Sequence, residues 1–210
     1  MIWKDCCRAY NRVLTNPAAQ AVIALLKFKL QAGMGAFLIR ARPWVGAIER
    51  LNTAVGNVMA WAVVLMTAII VYDVSMRFLF QMGSVMLQEL EWHLFGAIFL
   101  LGAAHTYRQD GHVRVEIIYQ KLTTIQQSKI NLFGNIFMLA AVCLLVIWTS
   151  IPFVSNSFAY SETSPDPGGL PFRWLIKFVI PAGFFLLLLQ AFADSVRQLR
   201  TICGQDTDPD

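Results

Sequence analysis

Leu51 to Tyr72 runs for 22 residues without an Asp, Glu, Lys or Arg, Asn131 to Ser161 for 31, and Phe178 to Ala193 for 16. A helix rises about 1.5 Å per residue and the hydrocarbon core of a bilayer is about 30 Å thick, so about 20 apolar residues cross it. The first two runs therefore read as membrane spans on length alone. A fourth stretch, Trp92 to Tyr107, follows Glu89 and Glu91 and has His93 and His105 as its only side chains that titrate near neutral pH. With the shorter third run it completes four spans, placed at 51–73, 90–107, 130–153 and 174–193. The charged fraction is 14%, against about 25% in soluble domains, and the shortfall lies in these runs. The expected fold class is an all-α polytopic membrane protein with four transmembrane helices. Almost no mass remains outside the spans, which leaves no room for a globular catalytic domain, so the chain is not expected to be an enzyme.

Basic residues set the expected sidedness, because Lys and Arg are enriched in cytoplasmic flanks. Eight precede the first span (Lys4, Arg8, Arg12, Lys27, Lys29, Arg40, Arg42 and Arg50), and only Arg77 lies between the first and second. Arg108, Arg114, Lys121 and Lys129 follow the second span, Arg173 and Lys177 precede the fourth, and Arg197 and Arg200 follow it. With both termini in the cytoplasm, fourteen of these side chains are inside and three outside. The net charge of +4 thus reads as a topology signal, with no nucleic-acid partner implied. Residues 1–50 read as a basic cytoplasmic N-terminal extension, 51–200 as the membrane domain and 201–210 as a cytoplasmic tail. The extension is expected to be peripheral or loosely ordered. The alternative is a fifth membrane element built from Pro17 to Leu26 and Ala32 to Ile39, runs that Lys27 and Lys29 interrupt. No cleavage pattern follows a compact apolar region near the start, so a cleaved signal peptide is not expected.

Between the second and third spans, residues 108–129 interleave Val113, Val115, Ile117, Ile118, Leu122 and Ile125 with charges, as suits an amphipathic segment in the headgroup layer. Thr124 and Gln127 have capping-box spacing and predict a helix start there. The 31-residue run that follows would be about 46 Å long as a helix, more than the bilayer core needs, so the third span is expected to tilt, protrude, or kink at Pro152. Ser164-Pro165-Asp166-Pro167-Gly168-Gly169 is a turn signal, after which Leu170-Pro171-Phe172 is expected to open the last helix and Pro181 to bend it.

Cofactor and transport chemistry find little support in the spans. Their mid-membrane polar groups are Thr67, Cys143 and Gln190, whereas a self-sufficient transporter needs convergent polar or charged groups near the midplane. Two imidazoles at one depth would suit a b-type haem, but His93 and His105 are twelve residues apart on one helix, about 18 Å along its axis. No cofactor and no metal site are expected. Cys6 and Cys7 are vicinal, Cys143 is mid-span, Cys203 is in the tail, and no C-x-x-C occurs. Glu89 and Glu91 read as acids at the outer boundary, hydrated or paired with Arg77, and Trp92 as an interfacial anchor. Asp110, His112, Arg114 and Glu116 form an alternating charged face suited either to solvation or to docking a subunit. Small residues such as Gly56, Ala60, Gly96, Gly102, Ala103 and Gly183 permit close helix approach. These features suit a partner for a larger membrane protein. A membrane anchor for an electron-transfer complex and a stand-alone small transporter are the alternatives.

Five motifs in order resemble the small membrane subunit, of the DctQ type, of the tripartite ATP-independent periplasmic (TRAP) transporters. They are Arg77 soon after the first span; Gln88-Glu89-Leu90-Glu91-Trp92-His93; Leu101-Gly102-Ala103-Ala104 with Tyr107-Arg108; His112-Val113-Arg114-Val115-Glu116; and Gly169-Leu170-Pro171 with Lys177 and Ile180-Pro181-Ala182-Gly183. The resemblance covers about Leu51 to Arg200. Glu116 stands where the family usually has aspartate, and the N-terminal extension is longer than is typical. The resemblance implies a non-enzymatic scaffold subunit in the bacterial inner membrane. Its implied partners are a large, elevator-like membrane subunit that carries the substrate and sodium sites, a periplasmic binding protein that delivers an organic acid such as a keto acid, and membrane lipid. Arg77, Glu89, Glu91, Trp92, His112, Arg114, Glu116, Pro171, Lys177 and Pro181 are the expected interface or structural residues.

Overall fold

The computed structural model describes residues 17–109 and 122–204. Five α-helices follow in order: α1 (Pro17–Phe80), α2 (Val85–Arg108), α3 (Thr124–Phe133), α4 (Ala140–Ala159) and α5 (Trp174–Ile202). A π-helical stretch, Gly134–Leu139, joins α3 to α4 without a break. Among the described residues there is no strand, and four helical stretches are long and apolar enough to cross a membrane: Leu38–Phe80, Val85–Arg108, Thr124–Ala159 and Trp174–Ile202. The all-α, four-span expectation is met.

The boundaries differ from the sequence reading in four places. Residues expected as a loosely ordered extension are helical from Pro17 onward. The chain divides into two compact units, Met1–Pro43 and Trp44–Asp210, and the division falls at a proline inside α1, where the helical ladder lacks a donor. The second helix begins at Val85, ahead of the expected start near residue 90, so Glu89 lies within it along with Glu91. The cap of α3 is Thr123, whose backbone N–H donates to Gln126 Oε1 at 3.0 Å; the capping box sits one residue ahead of the expected Thr124 and Gln127. Pro171 does not open the last helix, because Phe172 adopts φ 66° and helical geometry begins only at Arg173 and Trp174. Pro152 and Pro181 both lie inside continuous helices. Residues 110–121, the greater part of the expected amphipathic link, lie outside the described residues.

Within the unit Trp44–Asp210, α5 is the shared packing partner of α2, α3 and α4, and polar side chains tie it to α1. Its inward face is small: Gly183, Ala191, Ala193 and Val196 are buried. A Cβ on Gly183 would stand 2.7 Å from the Leu100 carbonyl oxygen, so the α2–α5 crossing is close enough to require glycine there. The bulky apolar side chains point the other way; Trp61, Phe78 and Trp148 are 76%, 85% and 78% exposed. Lipid tails are as apolar as leucine and give no hydrophobic reason to bury such groups, so small residues and hydrogen bonds take over at helix contacts.

Candidate functional site at the two ends of the bundle

At the end where α2 begins, Glu89 is 5% exposed and reaches across to the loop between α4 and α5. One carboxylate oxygen accepts the Ser164 hydroxyl and the other accepts the Leu170 backbone N–H at 2.6 Å. The loop is also closed upon itself. Ser164 N–H donates to the Leu170 carbonyl at 3.2 Å, Asp166 N–H to Ser164 Oγ at 3.2 Å, and Gly169 N–H to the Asp166 carbonyl at 3.0 Å. A Cβ on Gly169 would lie 2.7 Å from Glu89 Oε2, which accounts for a glycine beside the carboxylate.

A second anchor holds the start of α5. Lys177 pairs with Glu162 and lies 4.2 Å from the Phe153 ring centroid, and Arg173 N–H donates to the Glu162 carbonyl at 3.1 Å. The hydrogen bond from Lys177 holds the Glu162 carboxyl below the usual glutamate range, and the positive charges of Lys177 and Arg173 act in the same direction. The Arg173 guanidinium stands 5.9 Å from the Trp92 ring, so α2 and α5 also meet through that pair.

Of the residues singled out in the sequence, Glu89, Trp92, Pro171 and Lys177 are gathered around this loop. Arg77 is not: it pairs with Asp73, one turn earlier on α1, and neither Glu89 nor Glu91 meets it. Asp73 is 2% exposed and was passed over because it stands just beyond the charge-free run. Glu91 Oε1 is buried with no hydrogen-bond partner among the described residues. Pro181 sits within α5, away from the loop in sequence, and His112, Arg114 and Glu116 lie outside the described residues.

The opposite end holds polar pairings that the sequence reading did not join. Asn135, on the π-helical stretch and 5% exposed, accepts the Tyr107 hydroxyl through Oδ1 and donates from Nδ2 to Asp194 Oδ2 at 2.8 Å. Glu49 pairs with Arg197 and lies 3.9 Å from Arg108, which also donates to Thr53. One turn deeper, Asn52 Nδ2 donates to Gln190 Oε1 at 2.7 Å, with both residues 1% exposed. The available signal was the polar stripe Gln190, Asp194, Arg197 and Gln198, which recurs at helical spacing along an otherwise apolar α5.

The two histidines are not brought together. His93 Nδ1 lies 2.5 Å from the Glu89 carbonyl, while the His105 ring rests against Gly56 and its Nε2 lies 3.0 Å from Gln109 Nε2. No group of three or more His, Cys, Asp or Glu able to hold a metal occurs among the described residues.

Four apolar spans, with several of their polar side chains paired across helix contacts, define a multi-pass helical membrane protein. Residues 66–201 match the family described as tripartite ATP-independent periplasmic transporters, DctQ component, and the chain belongs to that family. It is also similar to a Haemophilus influenzae protein named "Putative TRAP transporter small permease protein", at 25% identity over 122 residues, which are 58% of this chain and 76% of that one. The chain is accordingly a small subunit of a TRAP transporter and a multi-pass protein of the bacterial inner membrane.

Proposed function

We propose that this chain is the static, non-catalytic scaffold of a sodium-coupled importer for an organic acid, with a keto acid or related carboxylate as the substrate class. It braces the large membrane subunit and helps to dock the periplasmic binding protein. The observation that carries this reading is the pairing of polar groups inside the spans. Asn52 is matched by Gln190, and Asn135 by Tyr107 and Asp194. An ion path needs groups that can exchange water for a passing ion, and these are engaged in holding helices to one another.

Both termini face the cytoplasm, which places the Glu89 end and its latched loop on the periplasmic side. There the loop from Ser161 to Arg173, held by Glu89 and Lys177, presents Asp166 and Pro167 outward to the binding protein. The segment 108–129 lies in the cytoplasmic headgroup layer, and His112, Arg114 and Glu116 belong to the contact with the large subunit.

Co-purification with the large TRAP membrane subunit, together with sodium-driven uptake in cells that lack this chain, tests the proposal. The expected results are a stable complex and loss of uptake on deletion. A chain that purifies alone, with uptake intact in its absence, overturns the proposal. An absorbance spectrum of the purified protein addresses the electron-transfer anchor, which requires a Soret band.

A further inference from the structure

The helix α1 touches the rest of its unit along one face, where Asn52, Gly56 and Asp73 are buried. The opposite face is open from Asn57 to Phe78, and it is not uniform. Asn57 is exposed and its amide has no partner among the described residues. It stands seven residues past Arg50 in a charge-free run of 22, about 10 Å along a helix whose uncharged length, about 33 Å, barely exceeds the bilayer core. That places the amide within the hydrocarbon layer, where lipid tails offer neither donor nor acceptor.

The hydroxyls further along the same face make no such demand, since Thr67 and Ser75 already donate to the carbonyls of Val63 and Val71. On the same side, a trough of about 690 Å³ runs along Val64, Ala68 and Val71. At Val63 it meets a second hollow of about 490 Å³ between α1 and α2, floored by Gly102 and Ala103. The exposed face of α4 differs. Leu144, Leu145 and Trp148 are large and apolar, as is Phe137 on the π-helical stretch ahead of them, and the Thr149 hydroxyl donates to its own helix, so lipid satisfies this face. The exposed Asn156 near the end of α4 belongs to a 31-residue run that overshoots the core by about 16 Å and needs no partner within it.

We infer that the open face of α1, from Asn57 through Val64 and Val71, seats one transmembrane helix of the large permease subunit, with a polar side chain or an unwound backbone group of that helix meeting the Asn57 amide. This rests on the assembly proposed above and specifies its surface. A continuous trough suits the ridge of a neighbouring helix, and a lone amide at membrane depth is the kind of group through which membrane helices hold one another.

The test uses the full chain co-expressed with the large subunit. A photo-crosslinking residue is placed at Val64 or Val71, and as controls at Leu144 or Leu145; all four are exposed, so folding is not at stake. Crosslinks to the large subunit are expected from the first pair and not from the second. Asn57→Leu is expected to reduce the large subunit retained in a detergent wash by about three- to tenfold, and Asn57→Gln to restore most of it. Crosslinking from α4 alone, or from α1 to a second copy of this chain, overturns the inference while leaving the assembly intact. Failure of the unmodified chain to retain the large subunit at all removes the assembly and the inference together.

Discussion

Glu89 places both carboxylate oxygens on one loop, one against a hydroxyl and one against a backbone N–H. Glutamine would keep one acceptor and turn an amide NH2 toward a second donor, either the Leu170 N–H or a Ser164 hydroxyl that must rotate. Glu89→Gln is therefore expected to destabilise the loop by about 1–3 kcal/mol, the cost of leaving a buried donor unmet. The yield of the assembled transporter should fall with it, as read by co-purification; normal yield together with normal uptake would count against the role. Gly169→Ala, which forces a methyl toward Glu89 Oε2, should reproduce the defect without removing any charge. On the other helix end, Asn135 satisfies two partners from different helices at once. Asn135→Leu removes both of these contacts at once, and a loss of about 1–3 kcal/mol in thermal unfolding in detergent is expected.

The α4–α5 loop responds to pH as an element. The Glu162 carboxyl is held below its usual range chiefly by Lys177, so its stabilising contribution is fully present above the unfolded value of about 4.3 and is lost as pH falls through the lower folded value. Hydrogen-exchange protection of the amides from Ser161 to Arg173 should be flat from pH 7 to about pH 5 and decline below about pH 4. Lys177→Met should show the lowered protection already at pH 7; unchanged protection in that variant would separate the loop from the ion pair. The π-helical stretch Gly134–Leu139 is the other element with a particular task. Its ladder reaches five residues back rather than four, and Asn135 within it faces both Tyr107 and Asp194.

Taken whole, the described bundle is built inside out, with amides, carboxylates and small residues at helix contacts and tryptophan and phenylalanine outward. A body held by hydrogen bonds between close helices suits the scaffold role proposed above, and the division of labour in that proposal makes a prediction. Replacing both His93 and His105 should leave the ligand affinity of the periplasmic binding protein unchanged, as measured by calorimetry on that protein taken from the same cells. A shifted affinity would contradict the proposed scaffold role.

Much of this architecture was legible in the residues themselves. The four spans followed from runs such as Leu51 to Tyr72, because exclusion of charge from hydrocarbon acts on each residue locally and needs no knowledge of neighbours. Helix ends were less legible. Thr123 rather than Thr124 caps α3, and Phe172 at φ 66° delays α5 past Pro171, since competing caps one residue apart differ by little and the loop's outside contacts decide between them. The pairings that make the site, Glu89 with Leu170, Asn52 with Gln190 and Asn135 with Asp194, join residues far apart in sequence. Arg77 is the opposite case, since its partner Asp73 lies one turn away on the same helix, not at the more distant Glu89 or Glu91. By itself the sequence determined that the chain lies in a membrane, where it crosses, and which family it resembles, because burial in lipid is decided residue by residue. Which polar group meets which was settled only by the tertiary structure, because it depends on the rotation and depth of each helix against its neighbours.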